Sequence, residues 1–524
     1  MKRISYIIAA VFLLAFAFGC KKSFLDTAPT DSLSDETLKQ SLKGIEGVLD
    51  GIHNMFYMYY FGQRFGDGSG CLNVQLDMLS NSHVNSLTAL WMGVYRWTDH
   101  RNPNGNINYV TWDYYYTLVQ HANTVLKMSA EAKTIAPEDM NRLRGEALIV
   151  RAFCFNNLVQ LFGKRYVPGG DNSSWGIVLR LEPNIDPMPR STVAETYAQI
   201  NKDIKEGLEL FAKAKISGKK NRLTMGTAYG IAARIAMAQQ DYPLAEKYAN
   251  EAMKATKAKL QSGDELLNGF NNYEASEWMW GYRQAADQNR YYAGFGAHYS
   301  YNFKGGWNES LRYAINRSYY DKMNKTDVRR KWFVALDQGD KIPDDADPGY
   351  FLVDKNTGEN KWETTGQCIK FAVANDKSSF IDQVLMRLGE MFYIKAEAQA
   401  RQNNIQGAVA TLEEVMKTRD PQYTVSQDMK TADKLAEEIL RNKFIDLYFE
   451  GQAFYDIKRL GIVPNRLAST NDKYMNEKQK AMFKQRNSGK NVEGLPKDAN
   501  DKVWEFVIPY KELVGNKLCQ QNPL

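Results

Sequence analysis

Two stretches of this 524-residue chain mix flat aromatic rings with amide side chains and glycine. Such a mixture suits a ligand with apolar faces and a polar rim. The first stretch runs Trp91-Met-Gly-Val-Tyr-Arg-Trp97 into Arg101-Asn-Pro-Asn-Gly-Asn106, so that Trp91 and Trp97 flank an asparagine-rich loop. The second is Asn289-Arg-Tyr-Tyr-Ala-Gly-Phe-Gly-Ala-His-Tyr-Ser-Tyr-Asn302 followed by Gly305-Gly-Trp307. Its glycine and asparagine content argues against a strand core and leaves Tyr291, Tyr292, Tyr299, Tyr301 and Trp307 available as ligand-binding residues. Aromatics make up 12% of the chain, with 30 Tyr and 10 Trp, many of them where no core obviously claims them. Rings of that kind are candidates for a binding surface. Core packing is the competing role for each, and it is the role assigned to Trp112, Tyr115 and Tyr116, which precede a helix at core spacing. Glu277 to Tyr282 alternates as a strand with Trp278, Trp280 and Tyr282 on one face, and a core role is expected for at least two of these.

Other constellations exclude chemistry. The four cysteines beyond Cys20, namely Cys71, Cys154, Cys368 and Cys519, form no CxxC, so a zinc framework is excluded by spacing. Cys154 falls in an apolar helical pattern, where a packed thiol is expected. The five His residues show neither HExxH nor a paired-ligand spacing. No GxSxG elbow is present. Gly66-Asp-Gly-Ser-Gly70 lacks the phosphate-loop lysine and the GxGxxG spacing. Asp337, Asp340, Asp344, Asp345 and Asp347 gather near Gly339 and Gly349 without EF-hand spacing and read as a solvated acidic loop. The net charge of +6, from 67 basic and 61 acidic residues, is spread without a basic block, which argues against nucleic acid. No metal, cofactor or catalytic residue is expected.

The elements that must position these residues are mainly helical. From Asn141 to Phe162, Leu143, Ala147, Val150, Cys154, Leu158 and Leu161 recur at spacings of three or four, and Gly163 stops the pattern. Met225 to Gln240 and Pro243 to Ala255 form two helical patterns joined at Asp241-Tyr242, with small Ala233, Ala245 and Ala252 where a tetratricopeptide unit brings its helices together. The spacing recurs at Ala396, Ala408 and Val415, with helices from about Gln383 to Arg401 and Gln406 to Thr418. Two further pairs are expected, one joining Trp112–Met128 to the Asn141 helix and one built on Lys434–Tyr448 with an unassigned partner. Between them Phe61–Arg101, Pro168–Arg190, Asp264–Ser310 and Asp337–Ser379 lack helical periodicity, as functional segments of a rigid body often do. The fold class is thus a mainly α scaffold of tetratricopeptide-like helical pairs, an α-α superhelix, with long irregular ligand-binding loops and a few short strands.

At the N-terminus Lys2 and Arg3 precede an apolar run from Ile4 to Phe18 that ends Ala17-Phe18-Gly19-Cys20, a secretory signal too short to span a bilayer comfortably. Small residues before Cys20 resemble a lipobox, so residues 1–19 read as a lipoprotein signal peptide and Cys20 as the lipidation site. An anchor of two or more acyl chains makes membrane attachment stable. Residues 20–36 read as a tether and 37–524 as one body.

Several blocks in order resemble the SusD/RagB family of nutrient-binding outer-membrane lipoproteins of Bacteroidota. They are Cys20-Lys-Lys-Ser-Phe-Leu-Asp26; Gly145-Glu-Ala-Leu-Ile-Val-Arg-Ala-Phe153 leading to Leu161-Phe-Gly163; Arg222-Leu-Thr-Met-Gly-Thr-Ala228; and Met386-Arg-Leu-Gly-Glu390 with Ala396-Glu-Ala398. The C-terminal third adds Arg441-Asn-Lys-Phe444, Phe449-Glu-Gly451, Asp456-Ile-Lys-Arg459, Ile508-Pro509 and Gln521-Asn-Pro523. Ala17 stands where a lipobox usually has Leu, Pro168 falls later than in the family, and Gln452-Ala453 replaces a basic residue after the Glu-Gly pair. The resemblance implies four helical pairs topped by loops that bind oligosaccharide, or less often peptide, with a ligand-stacking Trp near Trp91 and Trp97. It also implies a cell-surface, lipid-anchored position at the outer membrane and a SusC-like TonB-dependent transporter as partner. The leading expectation is therefore a non-enzymatic glycan-binding lipoprotein that delivers oligosaccharide to that transporter, with an oligopeptide-binding RagB-like protein as the alternative.

Overall fold

The computed structural model describes residues 40–58, 66–84, 91–216, 218–285, 288, 294–304, 306–309, 313–335, 366–472, 480, 481, 484 and 494–524. The signal peptide, the tether with Cys20, Tyr291, Tyr292 and the aspartate loop at 337–347 lie outside these residues.

The first helices are α1 (Leu42–Tyr57), α2 (Gly68–Asp77), α3 (Asn106–Glu131) and α4 (Pro137–Phe162). Helix α4 is the one read from the Asn141 pattern. It begins with Pro137 in its first turn and Glu138 and Asp139 behind it, residues that suit the positive end of the helix dipole, and it stops at Gly163. Its Cys154 is fully buried. Helix α3 pairs with α4, as the sequence predicts. On α3 Trp112 and Tyr115 are buried and Tyr116 packs against the core, its hydroxyl donating to the Val178 carbonyl at 2.8 Å.

Next come α5 (Val193–Phe211), α6 (Met225–Ala238) and α7 (Tyr242–Ala255), then α8 (Leu388–Arg401) and α9 (Ile405–Lys417). The two repeat units share a turn built the same way. In one, Gln240 adopts a left-handed φ of 56° and Asp241 caps the Leu244 amide; in the other, Asn403 has φ 61° and Asn404 caps the Gly407 amide. Ala233, Ala245, Ala252, Ala396, Ala408 and Val415 all have 0% exposure, so the small residues sit where the paired helices close on one another. The remaining long helix, α10 (Ala432–Asp446), packs on α8 and α9, which supplies the partner that sequence could not assign. It is followed by α11 (Ala453–Leu460).

Three elements differ from the sequence reading. Gln383–Arg387 is not the start of a helix but a strand, β6, antiparallel to β2 (Trp278–Tyr282), with Tyr282 opposite Gln383 and Trp278 opposite Arg387. Backbone pairing with β2 overrides the helical continuation, and α8 starts only at Leu388. The stretch Phe61–Arg101 contains α2, whose residues are buried on nearly every side. A helix enclosed all round has no polar face and leaves no period to detect. Helix α5 follows the irregular Pro168–Arg190 stretch and packs along α4. Its signal was present: Thr192 and Glu195 form a capping box, worth about 1 kcal/mol, ahead of Val193, Tyr197, Ile200, Ile204 and Phe211.

The strand face read from Glu277–Tyr282 is entirely interior. Trp278, Trp280 and Tyr282 are 1–2% exposed. Trp280 meets Phe56 edge-on at 4.9 Å, and Tyr282 stacks on Tyr57 at 4.8 Å. Four two-residue strands, β1 (His83–Val84), β3 (Ala314–Ile315), β4 (Phe333–Val334) and β5 (Gln367–Cys368), form a small sheet in the order β1-β3-β5-β4. One buried apolar cluster runs from Ile45 to Cys519.

Candidate functional site

The asparagine-rich loop after Trp97 is structural. Trp97 is 0% exposed and has a left-handed φ of 61°. Its ring meets Trp504 edge-on at 5.1 Å and His100 at 5.4 Å, while its indole N–H donates to the Leu79 carbonyl at 3.0 Å. Asn102 spends its side-chain oxygen on the Asn104 amide, and Asn108 donates to the Asn102 carbonyl. Trp97 therefore cannot present a face to a ligand, and its assignment as a stacking residue is corrected to core packing. Trp91 is 5% exposed, its ring 6.0 Å from Tyr299 and 5.2 Å from His298. Tyr299 is equally buried, between Trp91, Phe295 at 4.9 Å and Tyr313 at 5.5 Å. These two rings are likewise corrected to packing: each occupies the other's face.

The second aromatic stretch keeps two candidates at the surface. Trp307 lies on a single 3-10 turn, Trp307–Glu309, and is 36% exposed. Tyr301 is half-buried. The backbone beneath them is firmly tied. The Tyr301 amide donates to the Phe371 carbonyl at 2.9 Å, and Asn302 both donates to and accepts from the backbone of Val373. Asn308 donates to the carbonyls of Ser300 and Phe303, each at 2.8 Å. The amides that looked like ligand donors thus hold the segment in place, and the two rings remain at the surface.

Among the described residues, sequence reasoning missed two exposed rings, Trp175 and Tyr510, the latter 57% exposed. Trp175 is 45% exposed with the Arg190 guanidinium 5.6 Å from its centroid. Its neighbours Ser173, Ser174 and Gly176 in an aperiodic stretch were the available signal. Two open clefts formed by described residues have none of these rings in their lining. One of about 940 Å³ is lined by Asn324, Asp420, Tyr423, Glu438, Arg441 and Asn442, and another of about 1050 Å³ includes Asn123, Arg151, Leu181, Lys202 and Asp203.

The motif residues cluster elsewhere, in a buried network of charges. Arg387 donates to Glu277 at 2.8 Å, to Asp446 at 3.0 Å and to both oxygens of Glu450 at 2.8 and 2.9 Å. Arg419 bridges Glu277 and Asp446, and Lys370 reaches Glu450 at 2.6 Å. Burial alone would raise the Asp446 carboxyl, but Arg419, Arg387 and Arg329 hold it well below the usual carboxylate range. Lys458 directs its ammonium at the carbonyls of Leu161, Gly163 and Trp504, joining the Asp456–Arg459 block to the end of α4. Asn522 donates to the Phe162 and Phe506 carbonyls, each at 2.7 Å. Three cations facing three carboxylates, all buried, act as a keystone between these segments.

The chain belongs to the SusD family, which matches residues 234–524; the family described as "Starch-binding associating with outer membrane" matches residues 23–237. Among solved structures it is similar in fold to a SusD-like carbohydrate binding protein from Bacteroides vulgatus, with a TM-score of 0.73 and 21% identity over 91% of this chain and 97% of that one. A SusD superfamily protein from Bacteroides thetaiotaomicron matches with a TM-score of 0.72 and 20% identity over 92% and 100%. A putative sugar binding protein from Bacteroides vulgatus matches with a TM-score of 0.72 and 21% identity over 92% and 98%. No curated protein matches the chain.

Proposed function

We propose that this protein is a cell-surface glycan-binding lipoprotein of the outer membrane, anchored through Cys20, that hands oligosaccharide to a SusC-like TonB-dependent transporter without altering it. The observation that carries the reading is Trp307, a ring 36% exposed on a segment whose backbone is pinned by Asn302 and Asn308, in a chain of the SusD family. A sugar ring offers C–H groups to such a face and hydroxyls to its rim. Two of the structurally similar proteins carry names that refer to carbohydrate or sugar binding, which supports glycan over peptide. Tyr291, Tyr292 and Tyr301 are proposed to share the ligand with Trp307, whereas Trp91, Trp97 and Tyr299 are not.

Isothermal titration of the mature protein against plant and host oligosaccharides and against oligopeptides tests this reading. Heat with a glycan that Trp307→Ala weakens supports it, peptide binding with no glycan response replaces it with the oligopeptide alternative, and turnover of a bound glycan overturns the non-enzymatic reading. Incorporation of labelled fatty acid that Cys20→Ala removes tests the anchor.

A further inference from the structure

The stretch Gly66-Asp-Gly-Ser-Gly70, which lacks every feature of a nucleotide loop, has another use in the folded chain. Gly68 has φ +31°, and a Cβ there would lie 2.4 Å from the carbonyl oxygens of Met55 and Phe56. A Cβ on Gly70 would lie 2.5 Å from the Gln383 side chain and 3.0 Å from the Phe295 ring. Gly70 therefore opens a socket into which Phe295 seats, while Gly68 lets the segment close on the end of α1. Asp67, at the N-terminal end of α2, is 0% exposed, and its Oδ2 accepts the Phe295 amide at 2.9 Å and the Gln284 side-chain amide at 3.0 Å. Positions 284 and 295 are thus brought to a single oxygen. Its other oxygen is buried with no hydrogen-bond partner.

Phe295 begins the short helix Phe295–Tyr299, which packs against the turn bearing Trp307. We infer that Asp67 is the positioning residue of the ligand-facing segment, clasping Phe295 and Gln284 so that Tyr301 and Trp307 project from a fixed base. Its functional meaning rests on the proposed binding role of those two rings; the clasp itself does not.

The surroundings supply a readout that mere packing would not move. Burial pushes the Asp67 carboxyl up to about 7, against the lowering effect of the Phe295 amide and Gln284. The titratable groups around it are the Cys71 thiol on α2, Tyr114 through Ser69, Tyr57 beside Gln383, and Asp382, which accepts the Gln284 amide. Because the carboxyl is raised, the clasp is favoured by protonation. Its contribution is complete below the ordinary Asp value and is lost as pH rises through about 7.

The test is amide hydrogen exchange of the ligand-free full-length protein, read on peptides covering 294–300, in Asp67→Ala, Asp67→Asn and the control Asp77→Asn. The expected result is exchange about tenfold faster in Asp67→Ala at these residues while the protection of α4 is kept. After correction for intrinsic rates, wild-type protection of the segment falls between pH 6 and 8, and Asp67→Asn, which keeps an acceptor without the charge, abolishes that fall whereas Asp77→Asn does not. Unchanged exchange in a folded Asp67→Ala, or a pH dependence that survives in Asp67→Asn, overturns the assignment. Should Asp67→Ala fail to fold, the pH profile of Asp67→Asn alone decides. No ligand enters the measurement, so its failure and the failure of glycan binding are read separately.

Discussion

The buried charge network around Arg387 and the surface segment around Trp307 solve opposite problems. The network removes three cations and three carboxylates from water and recovers the cost through many short, mutually oriented hydrogen bonds. The segment leaves a large ring in water and spends its amides on backbone, its own and that of Val373. Arg387 and Glu450 of this network, and the buried Asp456 and Lys458 nearby in the chain, lie in blocks by which the family is recognised. Trp307 and Tyr301 lie in none. The motif residues named here help to hold the scaffold together, and the proposed ligand rings stand outside the motifs.

Four experiments can break or sharpen that contrast. Removing one member of the network leaves its partners charged and buried, so Arg387→Met should cost about 3–5 kcal/mol of stability in chemical denaturation; a cost below about 1 kcal/mol would show that the network does not hold the helices. Trp97→Ala belongs on the same side, and a cavity in a closed aromatic cluster should cost about 3–5 kcal/mol. The folded fraction of that variant should bind ligand as well as wild type, and a selective loss of affinity would return Trp97 to the site. On the other side, Trp307→Ala should leave stability within about 0.5 kcal/mol and weaken glycan binding by about 1–3 kcal/mol, the value of a stacking ring. The smallest effect concerns Asp77 at the far end of α2, which accepts the Gly451 and Ala453 amides and whose carboxyl burial pushes up to about 7. A raised carboxyl favours the fold when protonated, so its contribution should fall by about 1 kcal/mol between pH 6 and 8. Asp77→Asn should flatten that part of the stability profile, and an unaltered slope would remove Asp77 from the account.

Much of the scaffold was legible from the chain. The alanine spacing located both repeat turns to within a residue or two, because close helix approach tolerates only small side chains there and every such alanine is enclosed. The Trp278–Tyr282 face was legible for a similar reason, since alternation reports which side of a strand is interior. Less of the candidate site was readable. Trp97 and Trp307 stand in comparable company, each near glycine and asparagine, yet one is sealed against Trp504 and the other lies at the surface. Trp504 is 407 positions away from Trp97, and no local pattern announces that the two rings will meet.

The chain itself therefore determined what depends on near neighbours: helix periods, the Thr192 cap and the repeat turns. An ordered series of motifs also tied it to its family. Tertiary structure decided which rings are core and which remain outside, because burial depends on contacts between distant segments. It also turned a glycine-rich pentapeptide into a socket, since the role of Asp67 exists only once residues 217 and 228 positions further on are folded against it.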